Sequence, residues 1–368
     1  MTDLKFDFGT DVIVLRSCYH ADGADLLAIA GEGSVEVVQC SNTAIRPLAY
    51  FLVGLRVSSI AWSPKTVSPS ASDRWILELA ISTHDFGLHI LSKSNDSLES
   101  VRRFGGGLTG HHARVNDITF VGGQEDIARH VATVSDDRNL IVWDLRPSAT
   151  NNLETSKDPQ PPECQPTALV IPFAHPLCSV SSHASTSKEL LVSDTRGSVF
   201  LIDWRKDPSD SDEEAFNHQS ILELVHPRSL SDTLANTSKS LFGYASWRTD
   251  DPSIVGAVFG SEFAVWDIGK LRGGKPFVVG PVFSEGGHKF RWCPSFPEYF
   301  AISTSAMTSN GGVISVYNIH HLQAQTATIQ IAPQPHRVID FDWIGNRGTP
   351  RLAAAVGRNV FIFPISLD

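Results

Sequence analysis

Seven short stretches of the chain share one pattern, apolar residues on alternate positions closing on an aromatic or branched residue. They are "SVEVVQC", "GLHILSK", "NLIVWDL", "SVFLIDW", "EFAVWDI", "VISVYNI" and "NVFIFPI", with equivalent positions at Val38, Leu91, Trp143, Ile202, Trp266, Tyr317 and Phe363. Each follows another apolar strand, as "HVATVS" precedes Trp143 and "SIVGAVFG" precedes Trp266. A third strand lies upstream again, usually closing on an aromatic: "RVSSIAWSP", "RVNDITF", "LFGYASW", "HKFRWCP", "RVIDFDW". Connecting stretches such as "CQPTALVIPF", "SILELVHP" and "PFVVGPVF" supply a fourth. A recurring unit of this size constrains the fold strongly, because one copy cannot bury its apolar face alone and must stack on its neighbours.

Long helical stripes are absent and the two-residue period dominates, so the chain reads as all-β. Four strands repeated seven times predict a seven-bladed WD40-type β-propeller. The mean spacing of about 54 residues exceeds the roughly 40–45 of an unadorned WD40 repeat. The excess falls in inserts near 65–73, 148–163 and 206–218, whose Ser, Pro and acidic content marks solvated, flexible loops within a single domain over 1–368. "LKFDF", from Leu4 to Phe8, is spare to the first group; pairing it into the last blade closes the ring through the N-terminal strand and removes an exposed edge.

Composition narrows the function. At 368 residues, 42% hydrophobic and 19% charged, the chain is long and apolar enough to bury a large core. A net charge of −10, with no Lys/Arg run longer than two, argues against direct nucleic-acid binding. Five scattered cysteines without a CxxC pair suggest reduced thiols, with neither a disulfide framework nor a zinc ribbon. The acidic start lacks the features of a signal peptide, and no uncharged apolar run approaches about 18 residues, so no membrane insertion is expected.

The best-preserved copy lies around Trp143. Gly110-His111 precedes Val115, and Asp137 sits in the turn six residues before Trp143. His111, Thr133, Asp137 and Trp143 resemble the hydrogen-bonded tetrad of WD40 blades, with a structural rather than catalytic role. Two stretches imitate phosphate loops: "GGGLTG" from Gly105 and "GKLRGGKP" from Gly269. Neither opens a helix whose amides would meet a phosphate, so both read as connections. The pairs His111-His112 and His320-His321 lack zinc-hydrolase spacing, and no nucleophile elbow is present. No cofactor, metal or catalytic residue is expected, and the chain reads as non-enzymatic. Ser68-Pro69, in the first insert, is a candidate for proline-directed phosphorylation.

Several stretches in order, "LRVSSIAWSP", "TGHHARVNDITF", "YASWRTDDPSIVGAVFGSEFAVWDI", "FRWCPSFPEYFAIST" and "YNIHHL", resemble the thirty-seven-kilodalton WD40 nucleoporins of the Y-shaped outer-ring complex of the nuclear pore. The resemblance spans roughly residues 55 to 321; the first fifty residues and the acidic insert near Asp210 carry no match. It implies a non-catalytic scaffold subunit at the nuclear envelope. Its implied partners are the large helical-solenoid nucleoporin of the Y-complex short arm and other Y-complex subunits, without homo-oligomerisation. Phe104 beside the glycines and Phe296 in "PSFPEY" are candidate docking residues. A second reading rests on "WDLR", residues 143–146, which resembles the WDxR box of substrate receptors for cullin-type ubiquitin ligases, with Arg146 as the contact.

Overall fold

The computed structural model describes the chain except for residues 1–2, 108–109, 124–126, 147–165, 187, 206–220, 229–230, 232–234, 236–242, 272, 305–310, 323–326, 333–335, 346–347 and 367–368. Within the described residues the strands form seven four-stranded antiparallel sheets, the blades of a β-propeller. Blades 1 to 6 span residues 14–52, 57–105, 115–172, 177–225, 243–281 and 287–332, and each is a meander of strands a to d in chain order. Blade 7 takes its first three strands from 340–364 and its fourth from Leu4–Asp7, which pairs antiparallel with Asn359–Pro364 in the register Leu4↔Ile362 to Asp7↔Asn359. The N-terminal strand therefore closes the ring, and the seven equivalent positions from Val38 to Phe363 all lie on strand c.

Burial explains why the strand signal was so apolar. Strand b of blade 3, His130–Ser135, and of blade 5, Ile254–Phe259, are buried at every position. Each is covered on both faces by neighbouring blades, so alternation gives way to a continuous apolar run. Strand d lies at the rim and stays wet; Thr167–Pro172 in blade 3 buries only Ile171.

Most blades lack the tetrad, and other contacts hold their seams. The indole Nε1 of Trp62 donates to the Arg16 carbonyl of the previous blade at 2.9 Å. Trp247, Trp292 and Trp343 repeat the contact onto Ser181, Ser246 and Arg291 at 3.3, 3.2 and 3.1 Å. These are the aromatics that close strand a in the sequence. Between blades 5 and 6, Phe300 stacks on Phe290 with ring centroids 4.8 Å apart and on Tyr317 at 5.2 Å, while Phe263 meets it edge-on. Each such pair contributes about 0.5–1.5 kcal/mol beyond its buried area. Gly256 leaves the space this cluster needs, since a Cβ there would lie 2.3 Å from Phe290 Cζ.

The insert at 65–73 departs from expectation. It is packed rather than solvated: Thr66 and Ser68 are buried, and Val67 forms an antiparallel bridge with Ile76. The Ser68 amide donates to the Asp22 carbonyl at 2.7 Å, and its hydroxyl oxygen accepts from Gln39 Nε2 and the Ser70 amide. Ser70 Oγ donates to Asp25 at 2.8 Å. The segment latches blade 2 onto blade 1, and Ser68 is not an exposed phosphorylation site in the folded chain. The inserts predicted near 148–163 and 206–218 lie outside the described residues.

Candidate functional site

Strand a of each blade lines the central channel, and in blades 1, 3, 6 and 7 it carries charge at inward positions, with Tyr244 in blade 5. Blade 1 contributes Arg16 from Val14–Ser17, blade 3 Asp117 from Val115–Val121, and blade 5 Tyr244 from Gly243–Trp247. Blade 6 adds Lys289 and Arg291 from Gly287–Trp292, and blade 7 adds Asp340 and Asp342 from Asp340–Ile344. Phe290, Trp292, Phe341 and Trp343 alternate with the last four and fill the blade cores.

Ring closure brings these groups together. Arg16 Nη1 lies 3.1 Å from Asp340 Oδ2, and its Nη2 lies 3.5 Å from Asp117 Oδ1 and 3.4 Å from the Tyr244 hydroxyl. One side chain thus joins four blades. Lys289 Nζ and Arg291 Cζ approach the Tyr244 ring at 4.5 and 4.2 Å from its centroid. The carboxylates also stitch blades through amides: Asp340 Oδ2 accepts from Leu15, Asp342 Oδ2 from Ser17, and Asp117 Oδ2 from Val180.

Burial works against every charge here, and partners decide the outcome. Burial alone would raise the Asp340 carboxyl, but Arg16, Lys289 and Arg291 outweigh it and hold the group below its ordinary value. At Asp342 burial wins and the carboxyl is raised. Burial brings Lys289 down to about 8 despite Asp340.

Because strands alternate in direction, the a–b and c–d connections share one face of the ring and the d–a and b–c connections the other. A cavity of about 500 Å³ opens on the a–b face, with Arg16, Asp117, Tyr244, Arg291 and Asp342 at its floor. Trp62, Phe120 and Trp247 stand among its walls. Among the described residues no group of three or more His, Cys, Asp or Glu is arranged to hold a metal ion.

The tetrad lies on the opposite face. His111 Nδ1 meets Asp137 Oδ2 at 2.9 Å, His111 Nε2 meets Thr133 Oγ1 at 2.8 Å, and Trp143 Nε1 donates to Thr133 Oγ1 at 3.0 Å. A carboxylate only accepts, so the proton of the first contact sits on Nδ1. The His112 and Asn139 amides also donate to Asp137. Burial pushes this carboxyl up, but the bonds from His111 and the two amides prevail and bring it down to about 2. These contacts tie together the d–a connection and strands b and c of blade 3.

The other sequence candidates separate. Phe104 is buried, its ring edge-on to Trp143 at 6.1 Å in the seam between blades 2 and 3, so it is core and not a docking residue. Phe296 is 36% exposed on the a–b face, beside Pro350 and Ile365 of blade 7. Arg146 is exposed on the same face, its amide donating to Asp144 Oδ1, and Asp144 also takes a bidentate contact from Arg129, Nε to Oδ1 and Nη2 to Oδ2. Both phosphate-loop imitations fall partly outside the described set, "GGGLTG" at 108–109 and "GKLRGGKP" at 272; of the latter, the described Gly274 lies between strands c and d of blade 5, and its carbonyl accepts from Trp266 Nε1. The channel cluster escaped sequence reading. Its signal was charge at alternate positions of strand a, as in "HKFRW" and "IDFDW".

No family model matches the chain. It is similar to Nucleoporin Nup37 of Mus musculus, with 25% identity over 320 residues that cover 84% of this chain and 81% of the relative. The Homo sapiens Nucleoporin Nup37 is 24% identical over the same shares. Among solved structures, Chaetomium thermophilum Raptor matches with a TM-score of 0.65 and 13% identity over 99% of this chain. The chain spans 29% of that protein's length, and the likeness shows the propeller fold alone.

Proposed function

We propose that this propeller is a non-catalytic scaffold subunit of the nuclear pore outer ring, docked on the large helical-solenoid nucleoporin of the Y-complex short arm. The observation that carries the reading is the similarity to the mouse and human nucleoporins over most of both chains. The geometry agrees with it. The polar network most like a catalytic triad is consumed in fastening one blade, and the rim offers apolar surface for a partner. Val170, Ile221 and Val279, on the outer strands of blades 3, 4 and 5, are 49%, 46% and 48% exposed, and Phe296 adds an aromatic on the a–b face. A lasting interface buries well over about 1,000 Å² around an apolar centre, and exposed groups of this kind form such centres.

Affinity purification of the tagged chain from nuclear extract tests the proposal. Scaffold nucleoporins are expected in near-equal amounts, and Val170→Glu with Val279→Glu is expected to cut their recovery at unchanged melting temperature. A cullin-ligase adaptor recovered in their place, and lost on Arg146→Ala, replaces this reading with that of a substrate receptor.

A further inference from the structure

The channel floor holds a cation whose hydrogen-bonding edge is unused. Arg291 is 5% exposed, and its Nε and Nη2 have no hydrogen-bond partner among the described residues. Its salt-bridge partner Asp342 stands 3.7 Å from Nε, beyond hydrogen-bond reach. That carboxylate is engaged elsewhere, Oδ1 by the Tyr19 hydroxyl and the Trp343 amide and Oδ2 by the Ser17 amide. Tyr244 covers the flat face of the guanidinium, which directs further contact to its edge. The Nε–Nη2 edge is one of the two forks by which arginine meets both oxygens of a carboxylate.

Ser17 and Thr249, whose buried hydroxyls also have no partner among the described residues, line the same cavity as Arg291. Its volume of about 500 Å³ falls within the range of about 300–1,000 Å³ usual for ligand pockets, and Trp62, Phe120 and Trp247 give it apolar walls. We propose that this cavity binds a monocarboxylate carried on an apolar or aromatic frame, with Arg291 Nε and Nη2 as its bidentate donors and Ser17 and Thr249 as supporting hydroxyls.

The charge balance selects the class. Arg16, Lys289 and Arg291 face Asp117, Asp340 and Asp342, so the cluster has little positive charge to spare and disfavours a dianion. Asp342, beyond hydrogen-bond reach of Arg291 Nε and engaged by Tyr19, Ser17 and Trp343, leaves that edge room for one external negative charge. The proposal does not depend on the scaffold reading; a pore subunit or any other propeller with this channel would carry the site.

Arginine side-chain nitrogen NMR on the full chain tests it, with the Arg291 Nε–H signal assigned through Arg291→Lys. Phenylacetate is expected to give a saturable shift of that signal. Phenylacetamide, the neutral isostere, is expected to bind about tenfold more weakly or worse, as loss of a charged bidentate contact demands. Phenyl phosphate is expected to be weaker than phenylacetate. No saturable shift, equal binding of the amide, or tighter binding of the phosphate each overturns the proposal. If Arg291→Lys does not fold, the signal is assigned by elimination with other arginine variants, and the acid–amide comparison on the unaltered chain still decides. Blocked tripeptides then identify the source. If acetyl-Phe-Glu-Leu-amide displaces phenylacetate and its Gln counterpart does not, the site takes an acidic side chain of a protein. If neither displaces it, the carboxylate site stands and its ligand is a small organic acid.

Discussion

Arg16 of the first blade and Asp340 of the seventh meet at 3.1 Å across the seam where the ring closes. The same carboxylate oxygen accepts from the Leu15 amide, so the inner edge of this seam is held by a charge pair and a backbone bond together. At the outer edge the same blades are tied by the strand Leu4–Asp7. Closure is therefore fastened at both radii.

Arg16→Met is expected to destabilise strongly, by about 3–5 kcal/mol, because removing one member of a buried pair strands the others. Asp117 and Asp340 both lose their cation, and Tyr244 loses a donor. Urea unfolding measures the cost. A loss under 1 kcal/mol would show that the cluster is solvated and not a structural centre.

Asp137→Asn is expected to cost about 1–3 kcal/mol at neutral pH by weakening the tetrad. The pH dependence follows from linkage. The folded-state carboxyl, at about 2, lies below its ordinary value of 3.8, so its contribution is complete above that value and is lost as pH falls through about 2. The difference in melting temperature between native and variant chains should shrink across that window and stay constant above it.

Ser68→Glu is expected to lower the melting temperature, since the hydroxyl is buried and accepts from Gln39 and Ser70. A proline-directed kinase should modify Ser68 in urea-unfolded chain and leave it unmodified in folded chain. Phosphopeptide mapping of the two samples checks this, and efficient modification of the folded form would mean that the latch opens readily.

Deleting residues 1–8 removes the outer strand of blade 7 and bares the edge of Asn359–Pro364. An unpaired edge invites association, so the truncated chain should both melt earlier and scatter more light at equal concentration. Adding the strand back as a synthetic peptide should reverse both effects.

Strands b and c were legible because blades press on both their faces and leave only apolar residues. The tetrad was legible because its four members fall within about thirty residues of one blade. Arg16 and Asp340 were not, since they are separated by nearly the whole chain and only closure makes them neighbours; along one strand, a charge between apolar residues reads as a wet position. Phe104 misled because three glycines follow it and suggest a loop, while the strand they terminate turns its ring onto Trp143. Ser68 misled through composition, because a Ser- and Pro-rich segment is mobile only when nothing receives its amides, and Asp22 receives this one.

The pairing of Leu4 with Ile362 also sets an order of events during synthesis. At translation rates of about 5–20 residues per second, the opening strand leaves the ribosome roughly 20–70 s before its partner exists. For that interval Leu4, Phe6 and the blade 1 residues of their cluster lack the blade 7 side of it. The nascent chain is then an arc with two adhesive ends until the last blade arrives.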